Sequence, residues 1–165
     1  MMKKFLLVFI VTGLLSSLSA QKNTKTDIWS GSYGTYAIND SLMKASDTLI
    51  IERVADAKAD DVAGRYQSDL ARWTIMSAKD EKKYKKEVHR FLFVPEDNEN
   101  QYKEFGWTEL HRNGKMNCID GNHFFICQTE PKTKVLFNGK DEFYTRTGIF
   151  GIWLHYGMVD LKKLK

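Results

Sequence analysis

Four turn signals divide the second half of this chain into short pieces: Asn113-Gly114, Asp120-Gly121, Glu130-Pro131-Lys132 and Asn138-Gly139. Between them lie short runs rich in Phe, Ile, Val, Tyr and Trp. An Asn-Gly or Asp-Gly pair supplies the positive φ angles that a tight hairpin turn needs. Short β-prone runs at this spacing imply an antiparallel meander, which either closes into a small barrel or folds into a sandwich. The expected fold class is therefore mainly β, with at most one or two short helices, in a single domain spanning residues 27–165.

The strands follow from the pattern. Residues 28–38 alternate large and small side chains, with Gly31 and Gly34 as bends, and read as a first strand. Asn39-Asp40-Ser41 is turn chemistry, and residues 47–54 form a β-branched second strand. Between 55 and 77, Val62, Tyr66, Leu70 and Trp73 recur at helical spacing, but Gly64 interrupts them. A loop followed by a strand near 69–77 is the favoured reading. Residues 88–94 are a strand ended by Pro95, and 96–101 a polar loop. Residues 105–112, Asn113-Gly114 and 115–119 read as a hairpin. Strands are further expected at 123–129, 133–137, 143–146 and 149–155, with 158–164 closing the chain as a strand or short helix.

Cys118 and Cys127 are the two cysteines. A four-residue loop from Gly121 to Phe124 would set Asp120 opposite Phe125, Ile119 opposite Ile126 and Cys118 opposite Cys127. Residues directly opposed at a non-hydrogen-bonded position come close enough to bridge. A two-residue Asp120-Gly121 turn would instead leave Cys127 too far along. The alternative to a disulfide is two reduced cysteines packed as small apolar groups.

The start of the chain reads as an address. Met1-Met2-Lys3-Lys4 is positive, Phe5 to Leu15 is apolar, and Ser16 to Ala20 is a small-residue exit suited to cleavage before Gln21. That is a secretory signal over residues 1–20, too short to span a bilayer comfortably, and no second hydrophobic stretch follows. The product would be exported, to the periplasm or outside the cell, with no transmembrane segment in the mature chain. Of the 25 basic residues two, Lys3 and Lys4, fall in the leader, which leaves 23 against 21 acidic ones, or +2. A balance so near neutrality gives no electrostatic reason to expect a nucleic-acid partner. The run from Lys79 to Glu87 interleaves acids with lysines and reads as a solvated face.

Catalytic signatures are weak. His89, His111, His123 and His155 lack metal-ligand spacing, so neither metal nor cofactor is expected. Gly31-Ser32-Tyr33-Gly34 does not fit a serine-nucleophile elbow. The carboxylate pairs Asp60-Asp61 and Glu96-Asp97 sit in polar loops. Gly148 to Gly157 places Phe150, Trp153 and Tyr156 among three glycines, either as a cavity wall or, more in keeping with small β domains, as core filling.

Trp29-Ser-Gly-Ser-Tyr33 after a leader resembles the first strand of small lipocalin-like (calycin) barrels, although there the glycine precedes the tryptophan. The resemblance implies an eight-strand-type barrel whose early tryptophan plugs one end, with room for an interior cavity. The strings from Cys118 to Thr129 and from Gly148 to Gly151 also resemble a small secreted bacterial domain family that carries no assigned activity. The functional expectation is a non-catalytic exported binding domain, taking a small apolar ligand in a barrel cavity or a protein partner. The alternatives are an envelope inhibitor or immunity-type protein, and a hydrolytic enzyme using His123 or His155.

Overall fold

Tyr33, Leu49, Ile51, Trp73, Ile75 and Val88 occupy alternate positions along four successive strands, and the ladder registers bring them to one face. Tyr33 lies opposite Leu49, Ile51 opposite Ile75 and Trp73 opposite Val88. Because strand side chains alternate with period two, one such register commits every large residue to the same side. A computed structural model describes residues 27–38, 44–80, 85–93, 100–137, 141–153 and 157–165. Its strands are β1 (Gly31–Ala37), β2 (Asp47–Arg53), β3 (Arg72–Ser77), β4 (Lys86–Arg90), β5 (Met116–Asp120), β6 (Phe124–Thr129), β7 (Lys134–Phe137), β8 (Asp141–Tyr144), β9 (Ile149–Trp153) and β10 (Gly157–Lys163). Two short helices, α1 (Gln101–Glu104) and α2 (Thr108–Arg112), lie between β4 and β5.

Eight strands close into an antiparallel barrel in the order β1-β10-β9-β6-β5-β4-β3-β2, while β7 and β8 form a separate two-stranded sheet. Closure removes the open strand edges that would otherwise invite association. The inward set continues with Ile119, Phe124, Ile126 and Leu161, which join Tyr33, Trp73 and the aliphatic residues in one buried cluster. Trp153 stacks on Phe124 with ring centres 5.4 Å apart and planes within 13°. Its indole lies where a Cβ on Gly151 would sit, so the glycine makes room for the ring. The barrel axis is thus occupied by side chains, as the width of an eight-stranded barrel allows.

A second core lies outside the wall. Met116, Cys118, Phe125, Cys127, Phe150 and Ile152 point outward from β5, β6 and β9, and meet Tyr102, Trp107, Val135 and Phe143 from the helices and the β7–β8 hairpin. The wall at β6 is therefore buried on both faces, which explains the unbroken apolar run Phe124-Phe-Ile-Cys127. Trp107 Nε1 donates to Leu136 O at 2.7 Å and fastens the helices to the hairpin. Phe150 and Trp153 fill the outer and inner cores respectively, so the aromatic block is core; Tyr156 and His155 lie outside the described residues.

The Cys118–Cys127 disulfide is present, and its register agrees with the four-residue-loop prediction at all three pairs. The expected hairpin over 105–119 is corrected: Thr108–Arg112 is helical. Gly114, at φ +69°, is the left-handed cap of α2. Its N–H donates to His111 O at 2.9 Å and the Lys115 N–H donates to Leu110 O at 2.8 Å. That reciprocal pair is a Schellman ending, which requires a glycine at the same place a hairpin turn would. The strand expected over 88–94 is shifted, because β4 ends at Arg90 and the Leu92 N–H turns to the Gln101 side chain. Gln101, expected at the end of a polar loop, starts α1. The helical spacing across 62–73 yields two 3-10 turns, Ala59–Asp61 and Gly64–Tyr66, before β3 begins. The turns expected at 39–41 and 138–139, and the leader, lie outside the described residues.

Candidate functional site

One end of the barrel is shut by the segment that enters it. Asp27 Oδ1 accepts hydrogen bonds from the Trp29 N–H at 3.0 Å, the Ser30 N–H at 3.2 Å and Trp73 Nε1 at 3.0 Å. Its Oδ2 accepts from Ser30 Oγ at 2.5 Å. Burial pushes this carboxyl upward, but the four hydrogen bonds outweigh it and hold the group below the usual carboxylate range. The turn seats Trp29, which is only 2% exposed, across the barrel end. Tyr33 Oη donates to Trp29 O at 2.7 Å from below. Burial, with the nearby Asp27 charge, pushes the Tyr33 phenol up to about 12.

Around this plug the strand ends carry charge. The guanidinium carbons of Arg53 and Arg90 lie 5.0 Å and 6.0 Å from the centre of the Trp73 ring. Both distances suit cation–π attraction. Arg90 grips Asp69 with two parallel hydrogen bonds of 2.6 Å each, from Nε and Nη2. Arg53 pairs with Asp56 and also donates to Val54 O and Arg72 O. The mouth thus alternates both signs of charge around an indole.

Beside it the wall opens. β4 and β5 pair only at His89–Asp120 and Arg90–Ile119, followed by the Phe91 N–H donating to Cys118 O at 2.9 Å. Further along, side chains replace the missing strand. Tyr102 Oη accepts the Cys118 N–H at 3.0 Å, and His111 Nδ1 donates to Met116 O at 3.0 Å. The two rings stack with centres 3.9 Å apart and planes within 15°. Backbone groups buried away from water need such partners, so α1 and α2 complete the ladder with side chains. Burial holds the Tyr102 phenol well above its ordinary range.

The result is an open groove of about 1260 Å³ running from the plugged mouth, past the end of β4, to the Tyr102–His111 stack. Ile28, 40% exposed, and the half-buried Leu70, Leu92 and Phe93 give it an apolar strip. Asp27, Arg53, Asp56, Asp69 and Arg90 give it a charged border.

The residues singled out in the sequence do not gather here as a catalytic set. Cys118 and Cys127 are bridged at a Cα separation of 4.1 Å in the outer core, beneath the groove's far wall. His123 is exposed on the β5–β6 turn, and His155 lies outside the described residues. The Asp120 oxygens accept from the Asn122 N–H and from Gln101 Nε2. His89 stands on the outer face of β4, with a buried Nε2 that has no partner among the described residues. Among those residues no three His, Cys, Asp or Glu side chains gather in a metal-binding arrangement, and no helix is long and apolar enough to cross a membrane. Sequence reasoning missed Asp27, Arg53, Asp69 and Arg90. Arg53 and Arg90 end β2 and β4, Asp27 and Asp69 lie in the segments leading into β1 and β3, and no local motif joins them. The chain matches no protein-family model, no curated protein and no solved structure.

Proposed function

We propose that this chain is an exported, non-catalytic binding domain whose mouth groove holds an extended segment of a protein partner. The observation that carries this reading is the contrast between a barrel axis occupied by Tyr33, Trp73, Phe124 and Ile126 and an open groove beside it. A small apolar ligand on the axis would have to displace well-packed rings, and each large side chain so exposed forfeits about 1.5–3 kcal/mol. An apolar strip bordered by both signs of charge suits a polypeptide, whose side chains and backbone vary in the same way. The charged border of Asp27, Arg53, Asp56, Asp69 and Arg90 disfavours a bare hydrocarbon chain, which could pair with none of these groups.

Export is supported by the leader and by the disulfide, since such bonds persist in oxidising compartments. The closed eight-strand barrel is compatible with the lipocalin-like resemblance. An inhibitor or immunity-type protein of the cell envelope is the narrower form of this proposal.

The test is native mass spectrometry of the mature protein recovered from its own envelope, as wild type and as Phe93→Asp. The expected result is a retained polypeptide in the wild type, lost in the variant. A retained small molecule that survives Phe93→Asp would overturn the reading.

A further inference from the structure

We propose that residues 54–71 form a pH-operated wall of the mouth groove, latched to β4 through His89, closed at neutral pH and released in mild acid. The inference rests on the groove being the binding site. This arm leaves β2 after Arg53 and returns at β3, and its far end, Ser68 to Ala71, lines the groove. None of its residues is fully buried, and it holds together through its two 3-10 turns and bonds such as the Ala57 N–H to Leu70 O at 2.9 Å. A segment so exposed opens at low cost relative to the barrel.

Two contacts between described residues tie the arm to β4. One is the Asp69–Arg90 pair described above. The other sets the Tyr66 ring edge-on to His89, with centres 5.1 Å apart and planes at 72°. His89 Nε2 is buried there with no hydrogen-bond partner among the described residues. A neutral ring tolerates that position, whereas an imidazolium would be denied the acceptor its second N–H requires. The charged groups around it come from every side: Arg72 on β3, Asp120 on β5, Asp69 on the arm and Glu87 on β4 itself. Arg65 adds a further cation, 5.0 Å over the Tyr66 ring. Burial outweighs the three carboxylates, and Arg72 adds to it, so His89 is held below its ordinary value in the closed form.

The sign follows. With the arm lifted, water reaches His89 and its affinity for a proton returns to the ordinary histidine value of about 6.5. The open form then binds the proton more tightly than the closed form. As pH falls through that range the opening equilibrium grows, by at most about tenfold per pH unit for one proton, until the closed form also titrates. Above it the arm stays shut.

Hydrogen exchange read by mass spectrometry on the mature protein without partner, at pH 7.5, 6.5 and 5.5 and corrected for intrinsic rates, tests this. The window stays above the ordinary carboxylate range. Protection over 54–71 is expected to fall on the order of tenfold between the ends of the window, while β5 and β6 are unchanged. His89→Phe keeps a ring against Tyr66, removes the proton site, and is expected to flatten the response. Should that variant fail to fold, Tyr66→Ala is expected to show the open-arm exchange already at pH 7.5. The proposal is overturned by protection independent of pH in the wild type, by an unchanged pH response in His89→Phe, by wild-type protection in Tyr66→Ala at pH 7.5, or by a loss shared equally with β5 and β6. No partner enters the measurement, so its failure leaves the groove reading standing, and failure of partner retention leaves the latch standing.

Discussion

Removing one oxygen tests whether side chains complete the wall between β4 and β5. Tyr102→Phe keeps the ring, with its stack on His111 at 3.9 Å and its edge contact with Phe91 at 5.3 Å, and deletes only the hydroxyl. The group left behind is the Cys118 N–H, on a residue 1% exposed, whose bond to the hydroxyl is 3.0 Å long. A buried donor stripped of its acceptor costs about 1–3 kcal/mol. Urea unfolding with the disulfide kept oxidised would show it. For a slope of about 2 kcal/mol per molar, the midpoint should drop by roughly 0.5–1.5 M with the slope unchanged. Tyr144→Phe, on a side chain 56% exposed, is the control and should leave the midpoint in place. A Tyr102→Phe midpoint equal to that control would show that the hydroxyl is dispensable, and the account of the open seam would fail with it.

The other perturbations probe the two cores. Replacing Cys118 and Cys127 together by alanine opens a loop with a sequence separation of 9, for which loop-closure entropy gives about 2.5 kcal/mol. The urea midpoint of the double variant should fall accordingly, and an unchanged midpoint would mean that the outer core holds β5 and β6 without the bridge. Gly151→Ala places a methyl group into the Trp153 indole. Overpacking of this kind costs about 1–3 kcal/mol, and thermal unfolding should show a lowered midpoint together with altered Trp153 packing in near-UV circular dichroism. A variant as stable as the wild type would mean that the ring is not seated as described.

Much of the barrel is legible in the sequence because period-two alternation survives locally. Leu49 and Ile51, Trp73 and Ile75, and Ile119 opposite Ile126 can each be read from a few residues. The disulfide register is legible for the same reason: one loop length sets every pair. Asn113-Gly114 misleads because a hairpin turn and a Schellman cap demand the same left-handed backbone, and only the Leu110 and His111 carbonyls decide between them. The end of β4 is misjudged because Phe91, Leu92 and Phe93 look like strand. What they meet is the wedge of Gln101 and Tyr102, whose side chains rather than a strand backbone take up the Leu92 and Cys118 N–H groups. The mouth cluster is illegible in principle. Asp27, Asp69, Trp73 and Arg90 are solvated polar residues and one core aromatic until closure of the barrel assembles them.

The most direct test of the central claim is site-specific photo-cross-linking in the native cell, with a photoreactive amino acid placed at position 68, in the groove, or at position 144, on the outer hairpin. A groove that holds a protein segment predicts a covalent adduct with one polypeptide from position 68 and none from position 144. An adduct from 144 alone, or only a small-molecule adduct from 68, would contradict it.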